Sequence, residues 1–194
     1  MGDASMVHAA GADALGLILA PSPRRVELSV ARDIADWARG QIQRVIVVRE
    51  LDDAAILDAV DAIGPDAVQL HDPTSRSLLA ELRRRGQFII RALSVGDEAF
   101  MTFDDAEVDA VLVDGPIPGS GRTHDWGDVL RRSWTRPIIA AGGLTSSNVS
   151  TVIGNQWVWG VDVASGVEES PGHKREDAVR SFVANARRAF SERS

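Results

Sequence analysis

The stretch that decides the fold covers residues 45–70 and reads VIVVRELDDAAILDAVDAIGPDAVQL. It opens with four β-branched residues, Val45–Val48, and closes with a second short apolar run, Ala67–Leu70. The apolar residues at helical spacing between these runs are Ile56, Val60 and Ile63. Apolar runs without polar alternation are typical of parallel strands that are covered on both faces. The stretch therefore predicts a strand, a helix and a second strand parallel to the first.

The same alternation continues along the rest of the chain. The short apolar runs that predict strands are Leu15–Leu19, Val45–Val48, Ala67–Leu70, Phe88–Ala92, Ala110–Val113, Pro137–Ala140 and Gly160–Val163. The residues at helical spacing that we expect to be buried are Val30, Ile34, Trp37, Ala38, Leu78, Leu79, Leu82 and, in a closing helix over Arg175–Phe190, Val179, Phe182, Ala186 and Phe190. Gly86 is expected to end the helix that contains Leu82. Regular alternation of this kind indicates βα units around a parallel sheet.

The number of strands favours a barrel. Seven strands are countable, and a helical stretch over Asp3–Ala10 precedes the first of them. Because eight strands normally close a (β/α)₈ barrel, we predict an α/β fold of the TIM-barrel type from which the first strand is missing. We expect one barrel domain over residues 1–194, since no segment has the composition of a linker. A doubly wound open sheet is the alternative.

Composition excludes several classes of partner and site. The 28 acidic side chains outnumber the 21 basic ones, and no basic run exceeds Arg83–Arg85, so we expect no nucleic-acid partner. The absence of cysteine excludes disulfides, thiolate zinc sites and cysteine nucleophiles within these residues. No apolar run approaches the roughly 18 residues that span a bilayer, and the four histidines are scattered. We therefore expect a cytoplasmic protein with no membrane partner and no metal. The sequence leaves the choice between a monomer and a homodimer open.

Asp114 is a candidate for acid–base chemistry because it directly follows the predicted strand Ala110–Val113. A carboxyl group just past a buried strand is partly removed from water, and this raises its pKa toward the range of a general acid. The same position also suits an aspartate that caps the following loop through backbone hydrogen bonds. The residues alone leave the two interpretations equally open.

Two glycine-bearing loops follow the last two predicted strands, and they are candidates for phosphate binding. Their key residues are Gly142, Gly143, Ser165 and Gly166. Glycine lets a backbone approach an anion closely, and a helix that begins near Ser146 or Ser147 would add the positive end of its dipole. Either loop alone fits a tight turn equally well. The two together favour phosphate, because barrel enzymes often bind it with the loops after their last two strands.

Arg24 and Arg25 follow Pro21-Ser22-Pro23 in the loop after the first countable strand. An arginine at this position can hold a carboxylate or phosphate through two parallel hydrogen bonds. Spacing alone favours the simpler interpretation that both are solvated loop residues.

Several short motifs occur in order along nearly the whole chain. They are Gly11–Leu19 with Ser22–Val26, Ala67–His71, Leu112–Asp114, Gly119–Trp126, Ala141–Leu144 with Asn148-Val149, and Gly160–Glu168. Each motif alone is weak, but the ordered set resembles the phosphoribosylanthranilate isomerases of tryptophan biosynthesis. The resemblance implies a (β/α)₈ barrel and an Amadori rearrangement that needs no cofactor or metal. Its substrate would be the phosphosugar N-(5-phosphoribosyl)anthranilate, and its product 1-(2-carboxyphenylamino)-1-deoxyribulose 5-phosphate.

The resemblance also implies roles for individual residues. Asp114 would be the general acid that protonates the furanose ring oxygen, and Arg24 would hold the anthranilate carboxylate. The further residues that would bind the substrate are His71, Gly119, Ser120 and Gly121. The residues that would bind its phosphate are Gly142, Gly143, Ser165 and Gly166.

The chain departs from this family at its beginning. Family members start with a strand reading Lys-Ile-Cys-Gly, whose cysteine is the general base, whereas this chain starts after that point and has no cysteine. Either the coding region begins upstream of Met1, which we favour because a barrel without one strand exposes two edges, or the chain is a seven-stranded relative without the usual base. We expect the form that begins at Met1 to turn over poorly. A non-catalytic phosphosugar-binding relative is the alternative function.

Smaller departures lie inside the matching motifs. Asp72 stands where the family has glycine, His124 where it has phenylalanine, Pro118 where it has glycine, and Arg91 where it often has lysine.

Overall fold

The computed structural model of the chain describes residues 1–96, 98–115, 129, 132–155 and 157–193. Contacts divide the chain into two units, Met1–Arg91 and Ala92–Ser194. Each unit contains parallel strands that alternate with helices.

The first unit contains four helices and four strands among its residues. The helices are α1 (Gly2–Ala9), α2 (Leu28–Ala38), α3 (Asp53–Ile63) and α4 (Arg76–Arg84). The strands are β1 (Ala14–Ile18), β2 (Gln43–Val48), β3 (Ala67–Leu70) and β4 (Phe88–Ser94), the last of which ends in the second unit. Each strand pairs in parallel with the next one in sequence. All four residues of β3 are buried, and three of them are apolar because both faces of the strand are covered. Gln69 is the one polar residue among them.

Local signals begin and end the helices of the first unit. The Asp52 side chain accepts a hydrogen bond from Ala55 N (2.8 Å) at the start of α3, and Gly64, in the left-handed conformation at φ 60°, ends it. The Ser75 hydroxyl caps α4 by accepting from Leu78 N (3.1 Å). Gly86 follows α4 with φ 73°, as predicted.

In the first unit the buried faces agree with the sequence pattern except at two residues of α2. In α2 the buried residues are Ala31, Ile34, Ala35 and Ala38. The prediction for Val30 is wrong, because the small alanines occupy the inward face and Val30 is 44% exposed. Trp37 is half-buried and packs edge-on against His8 of α1.

An ion pair joins the amino ends of β2 and β3. The Arg44 guanidinium donates two hydrogen bonds to Asp66, from Nε and Nη2, each 2.9 Å long, and the backbone N–H of Arg44 donates a third of 2.8 Å. Burial raises the pKa of Asp66, but the hydrogen bonds from Arg44 outweigh it and the net pKa lies below the usual range. This pair stabilises the amino ends of the strands. The candidate site residues lie at the opposite, carboxyl ends.

The second unit contains three helices and, after the end of β4, five strands among its described residues. The helices are α5 (Glu98–Thr102), α6 (Val149–Ile153) and α7 (Glu176–Glu192). The strands are β5 (Ala110–Asp114), β6 (Ile138–Ala140), β7 (Val158–Val161), β8 (Glu168–Ser170) and β9 (His173–Lys174). β5, β6 and β7 pair in parallel in sequence order, and β8 and β9 form a short antiparallel hairpin that the sequence pattern did not predict.

Helix α7 closes the second unit. It buries Ala178, Val179, Phe182 and Ala186. Phe190 is only half-buried, against the prediction, because it lies in the last turns of the helix with the Arg193 guanidinium 5.2 Å from its ring centre. Of the helices that the structure describes, none combines the length and hydropathy of a membrane-spanning segment.

Candidate active site

Asp114 is the last residue of β5, and the four strand residues before it are buried. Its backbone carbonyl accepts a hydrogen bond from Val95 N (3.1 Å). Burial of the carboxyl group raises its pKa to about 6, and the negative charge of Asp162 acts in the same direction, while a hydrogen bond from the Gly115 N–H opposes it. A carboxylic acid with this pKa keeps a protonated fraction near neutral pH, as a general acid requires.

Gly142 packs directly against Asp114. A Cβ atom at position 142 would lie 2.4 Å from Asp114 Oδ1 and 2.2 Å from Gly115 N, and the residue has φ +84°. Only glycine fits this close approach without displacing the carboxyl group. The structure therefore brings the first glycine loop and the candidate acid together.

Asn148 fixes the rest of the first glycine loop. Its amide nitrogen donates to Gly143 O (2.9 Å), and its amide oxygen accepts from Thr145 N (2.8 Å). Residues 146–148 form a turn, and α6 begins at Val149, two residues after Ser147. Because α6 has only five residues, it adds no long helix dipole to the loop.

The second glycine loop packs on the first. Gly166 lies in the short 3₁₀ turn Ser165–Val167, and a Cβ atom at position 166 would lie 1.8 Å from the carbonyl oxygen of Leu144. The two loops that the sequence assigned to phosphate are thus in backbone contact within the second unit.

Two further charged residues belong to this site, and the sequence reasoning did not single them out. Asp162 follows β7, and its N–H donates to Ala140 O (2.9 Å). Asp162 retains accessible surface, but protein atoms close to its carboxyl group raise its pKa, against the charge of Lys174, which lowers it. Lys174 Nζ donates to Ala164 O (3.0 Å) and to Glu168 Oε1 (2.9 Å). The rule that drew attention to Asp114, an aspartate just past an apolar strand, would also have found Asp162.

Arg24 lies in the loop after β1, in the first unit. The Ser22 hydroxyl accepts a hydrogen bond from Arg24 N (3.1 Å), and the Ser22 carbonyl accepts from Arg25 N (3.0 Å). Serine thus orders the turn that presents both arginines, of which Arg24 is half-buried and Arg25 exposed.

His71 directly follows β3, also in the first unit. Its Nε2 accepts a hydrogen bond of 2.9 Å from the Gln69 side-chain amide, an arrangement that leaves the proton of the neutral ring on Nδ1. Burial lowers the pKa of His71, and the charges of Arg49 and Arg91 lower it further against the opposing effect of Asp72. The imidazole is therefore neutral at physiological pH.

The loops that follow β2 and β3 are held together by side-chain hydrogen bonds. Asp72 Oδ2 accepts from Glu50 N (2.5 Å), and Asp53 Oδ2 accepts from the Ser75 hydroxyl (2.6 Å). Glu50 has φ 57°, a left-handed conformation that strains a residue with a Cβ atom. Asp72, which stands where the resembling family has glycine, thus supports this strained backbone.

We expect Glu50→Gly to stabilise the protein by about 0.5–1 kcal/mol, because glycine adopts positive φ without strain and keeps the N–H that Asp72 accepts. Urea unfolding measures the effect. Glu50→Ala is the matched control, since it removes the same carboxylate but keeps the strain. A glycine variant no more stable than the alanine variant would contradict the expectation.

The raised pKa of Asp114 predicts a pH-dependent contribution to stability. A carboxyl group whose pKa rises from 3.8 to about 6 on folding stabilises the protein fully below its unfolded pKa and loses that contribution as the pH rises through 6. Relative to Asp114→Asn, the wild type should therefore lose up to about 3 kcal/mol of unfolding free energy between about pH 4 and pH 7. Urea titrations of both proteins at several pH values test this, and a constant difference between them would disprove it.

The predicted site residues fall into three groups. Arg24 and His71 belong to the first unit, whereas Asp114, Gly142, Gly143, Ser165 and Gly166 belong to the second. The predicted loop residues Gly119, Ser120 and Gly121 lie outside the described residues. Within the described ranges, no three His, Asp or Glu side chains form a group that could hold a metal ion.

Comparison with known proteins identifies the family of the chain. The family model described as N-(5′-phosphoribosyl)anthranilate (PRA) isomerase matches residues 2–185. The isomerase of Haloarcula marismortui is 40% identical over 96% of this chain and 92% of its own length. The crystal structure of the Thermotoga maritima isomerase superimposes with a TM-score of 0.86 at 33% identity, covering 96% of this chain and 93% of the other.

A further solved structure similar to this chain contains a ligand. It is a phosphoribosylanthranilate isomerase in complex with reduced 1-(o-carboxyphenylamino)-1-deoxyribulose 5-phosphate, with a TM-score of 0.83 and 31% identity over 96% of this chain and 93% of the other. Both the family model and the relatives cover nearly the whole chain. The chain therefore belongs to the phosphoribosylanthranilate isomerase family.

Proposed function

We propose that this chain isomerises N-(5′-phosphoribosyl)anthranilate to 1-(2-carboxyphenylamino)-1-deoxyribulose 5-phosphate in tryptophan biosynthesis. The observation that carries the proposal is the carboxyl group of Asp114, with a pKa of about 6, in contact with the first glycine loop. Membership of the isomerase family supplies the substrate and the reaction.

In the proposed mechanism Asp114 starts the reaction as a general acid. It gives its proton to the furanose ring oxygen as the bond between that oxygen and C1 breaks, and the nitrogen lone pair forms the C1=N bond of a protonated Schiff base. Loss of the C2 proton to a base then gives an enaminol, and its tautomerisation yields the aminoketose. Atoms and charge balance without an oxidant or a cofactor.

The glycine loops are proposed to hold the substrate's phosphate. Gly142 and Gly166 pack so closely on Asp114 and on Leu144 that no side chain fits at either position. Gly143 has φ 64°, a conformation that glycine adopts without strain. Loops of this kind can offer backbone N–H groups to an anion. Ser165 adds a hydroxyl donor in the same turn. The close contact of Gly142 with Asp114 supports placing the phosphate end of the substrate beside the acid.

The remaining assignments follow from the family resemblance. Arg24 is proposed to bind the anthranilate carboxylate, and its half-buried position after β1 supports a guanidinium that is partly desolvated. His71 is proposed to bind substrate as a neutral imidazole. Gly119, Ser120 and Gly121 are proposed to contribute a loop over the substrate.

A second candidate function is phosphosugar binding without turnover. It is favoured by one observation, the absence of cysteine from the 194 residues, because the resembling family uses a cysteine as general base. In the second candidate function the glycine loops and Asp114 keep a binding site while proton removal from C2 is slow.

Incubation of the purified chain with N-(5′-phosphoribosyl)anthranilate separates the two candidates. The isomerase would be established if chromatography detects the aminoketose with the wild type and not with Asp114→Asn. Growth of a tryptophan auxotroph that lacks the isomerase, when it expresses this chain, would establish it as well. Binding of the reduced product analogue without any turnover would establish the second candidate. If the isomerase is established, His71→Ala tests whether that imidazole takes part in proton removal.

We also propose that the seven strands belong to a (β/α)₈-type barrel that forms one domain over residues 1–194. Sequence-order pairing within each unit supports a barrel over a doubly wound sheet. The proposed partner is the phosphosugar alone, with no cofactor, in a cytoplasmic enzyme. Since a Thermotoga maritima relative is described as dimeric, sedimentation decides between the monomer and a homodimer.

A further inference from the structure

We infer that Lys174 is a positioning residue that fixes the backbone of the second glycine loop for anion binding. The inference rests on the proposed function only in assigning the substrate's phosphate to that loop. It concerns residues 162–175, all within the second unit.

The Lys174 ammonium joins two parts of the chain that flank the loop. It donates to the carbonyl oxygen of Ala164 (3.0 Å), just before Ser165, and to Glu168 Oε1 (2.9 Å), just after the 3₁₀ turn. The hairpin of β8 and β9 places Glu168 opposite Lys174 in register, and Arg175 N donates to Val167 O (2.9 Å). Backbone pairing within the hairpin therefore fixes the position of Lys174 relative to Glu168 and the loop.

Fixing the Ala164 carbonyl orients the next amide. A trans peptide group is planar, so its C=O and N–H point in opposite directions. Because the Ala164 carbonyl points to Lys174, the N–H of Ser165 points away from it. Lys174 thus determines the direction of a donor in the loop, and the backbone contact of Gly166 with Leu144 holds the other end.

The ion pair is sheltered, which makes its geometry specific. The side chain of Glu168 is 4% exposed and that of Lys174 is 19% exposed. Glu168 compensates the buried ammonium, and the Ala164 carbonyl accepts a second of its three protons.

Composition sets this position apart from the other basic residues. Lys174 is the only lysine of the chain, and every other member of its 21 basic side chains is an arginine. A planar guanidinium presents its donors in a rigid fork, whereas an ammonium directs three donors from one point. The Ala164 carbonyl and the Glu168 carboxylate both accept from one nitrogen, and this arrangement suits an ammonium better than a guanidinium.

The test measures binding of inorganic phosphate to the full chain by titration calorimetry. Lys174→Met should weaken binding by about tenfold or more, since a hydrogen bond to a charged group is lost and the loop donor is released. Lys174→Arg should fall between wild type and the methionine variant. Arg175→Met is the matched control, because it removes the same charge from the neighbouring residue, whose side chain is 59% exposed, and it should change binding less than twofold.

Two results would overturn the inference: phosphate binding by Lys174→Met within twofold of wild type, or equal weakening by Arg175→Met. If Lys174→Met does not fold, the double variant Lys174→Met/Glu168→Leu removes both buried charges and should fold, and it should show the same weakened binding.

With substrate, we expect Lys174→Met to raise KM by the factor that phosphate binding loses, with a smaller change in kcat. If the wild type binds phosphate in a Lys174-dependent way but forms no aminoketose, the proposed function fails and the role of Lys174 stands. If the wild type isomerises its substrate and Lys174→Met changes neither phosphate binding nor KM, the proposed function stands and the role of Lys174 fails.

Discussion

Asp114→Asn is expected to lower kcat by about 10²–10⁴-fold, the usual contribution of a general acid. Asparagine keeps the size of the side chain and its place against Gly142, but it has no acidic proton to give to the ring oxygen. KM should change much less than kcat, because the proposed phosphate and carboxylate contacts of the substrate do not involve Asp114. Steady-state measurements with N-(5′-phosphoribosyl)anthranilate give both constants.

Loss of folding would not explain this loss of activity. Because burial makes ionisation of Asp114 unfavourable, the asparagine variant should be at least as stable as the wild type at neutral pH. Glu169→Gln is the control, since it neutralises an exposed carboxylate of the same unit. Retention of kcat within threefold of wild type by Asp114→Asn would rule out the assignment of Asp114 as the acid.

Gly166→Ala is expected to abolish tight phosphate binding and to destabilise the protein by about 1–3 kcal/mol, the usual range for forcing an extra atom into a packed site. The added Cβ would lie 1.8 Å from the Leu144 carbonyl oxygen, so the two glycine loops have to separate. A displacement of about 1 Å in a binding site can reduce activity by about 10²-fold. Calorimetry with phosphate and urea unfolding measure the two effects.

Gly160→Ala is the matched control for this substitution. It adds the same methyl group to a glycine of β7, where the nearest atom, Ile139 Cγ1, would lie at an ordinary contact distance of 3.6 Å. We expect a stability change within about 0.5 kcal/mol and unchanged phosphate binding. Equal effects of the two substitutions would show that the contact between the loops is unimportant.

The fold was most predictable in strands that are covered on both faces. The strand Ala67–Leu70 was predicted to the residue because both of its faces are covered and Gly64-Pro65 precede it. The hairpin of β8 and β9 was missed because its strands are two or three residues long and polar, so neither carries a periodic pattern. The side of α2 that is buried was misjudged at Val30, since alanines leave the inward direction of a helix ambiguous.

The candidate site was predictable as a set of positions but not as contacts. Strand ends and glycines identified Asp114 and Gly142 separately, because each depends on local sequence. Their approach to 2.4 Å, measured to a Cβ position that glycine leaves empty, depends on the register of two strands and has no local signature. The effect of Asp162 on Asp114 has the same origin, since it acts between residues far apart in sequence.

Gly166 packs on the Leu144 carbonyl through main-chain atoms, with the Thr145 side chain beside them. We therefore expect the segments after β6 and β7 to move as one body. Amide hydrogens of both segments should exchange with solvent at rates that rise and fall together, with or without bound phosphate. Any opening that admits substrate would then come from other loops, and the proposed phosphate site would already be rigid before the substrate arrives.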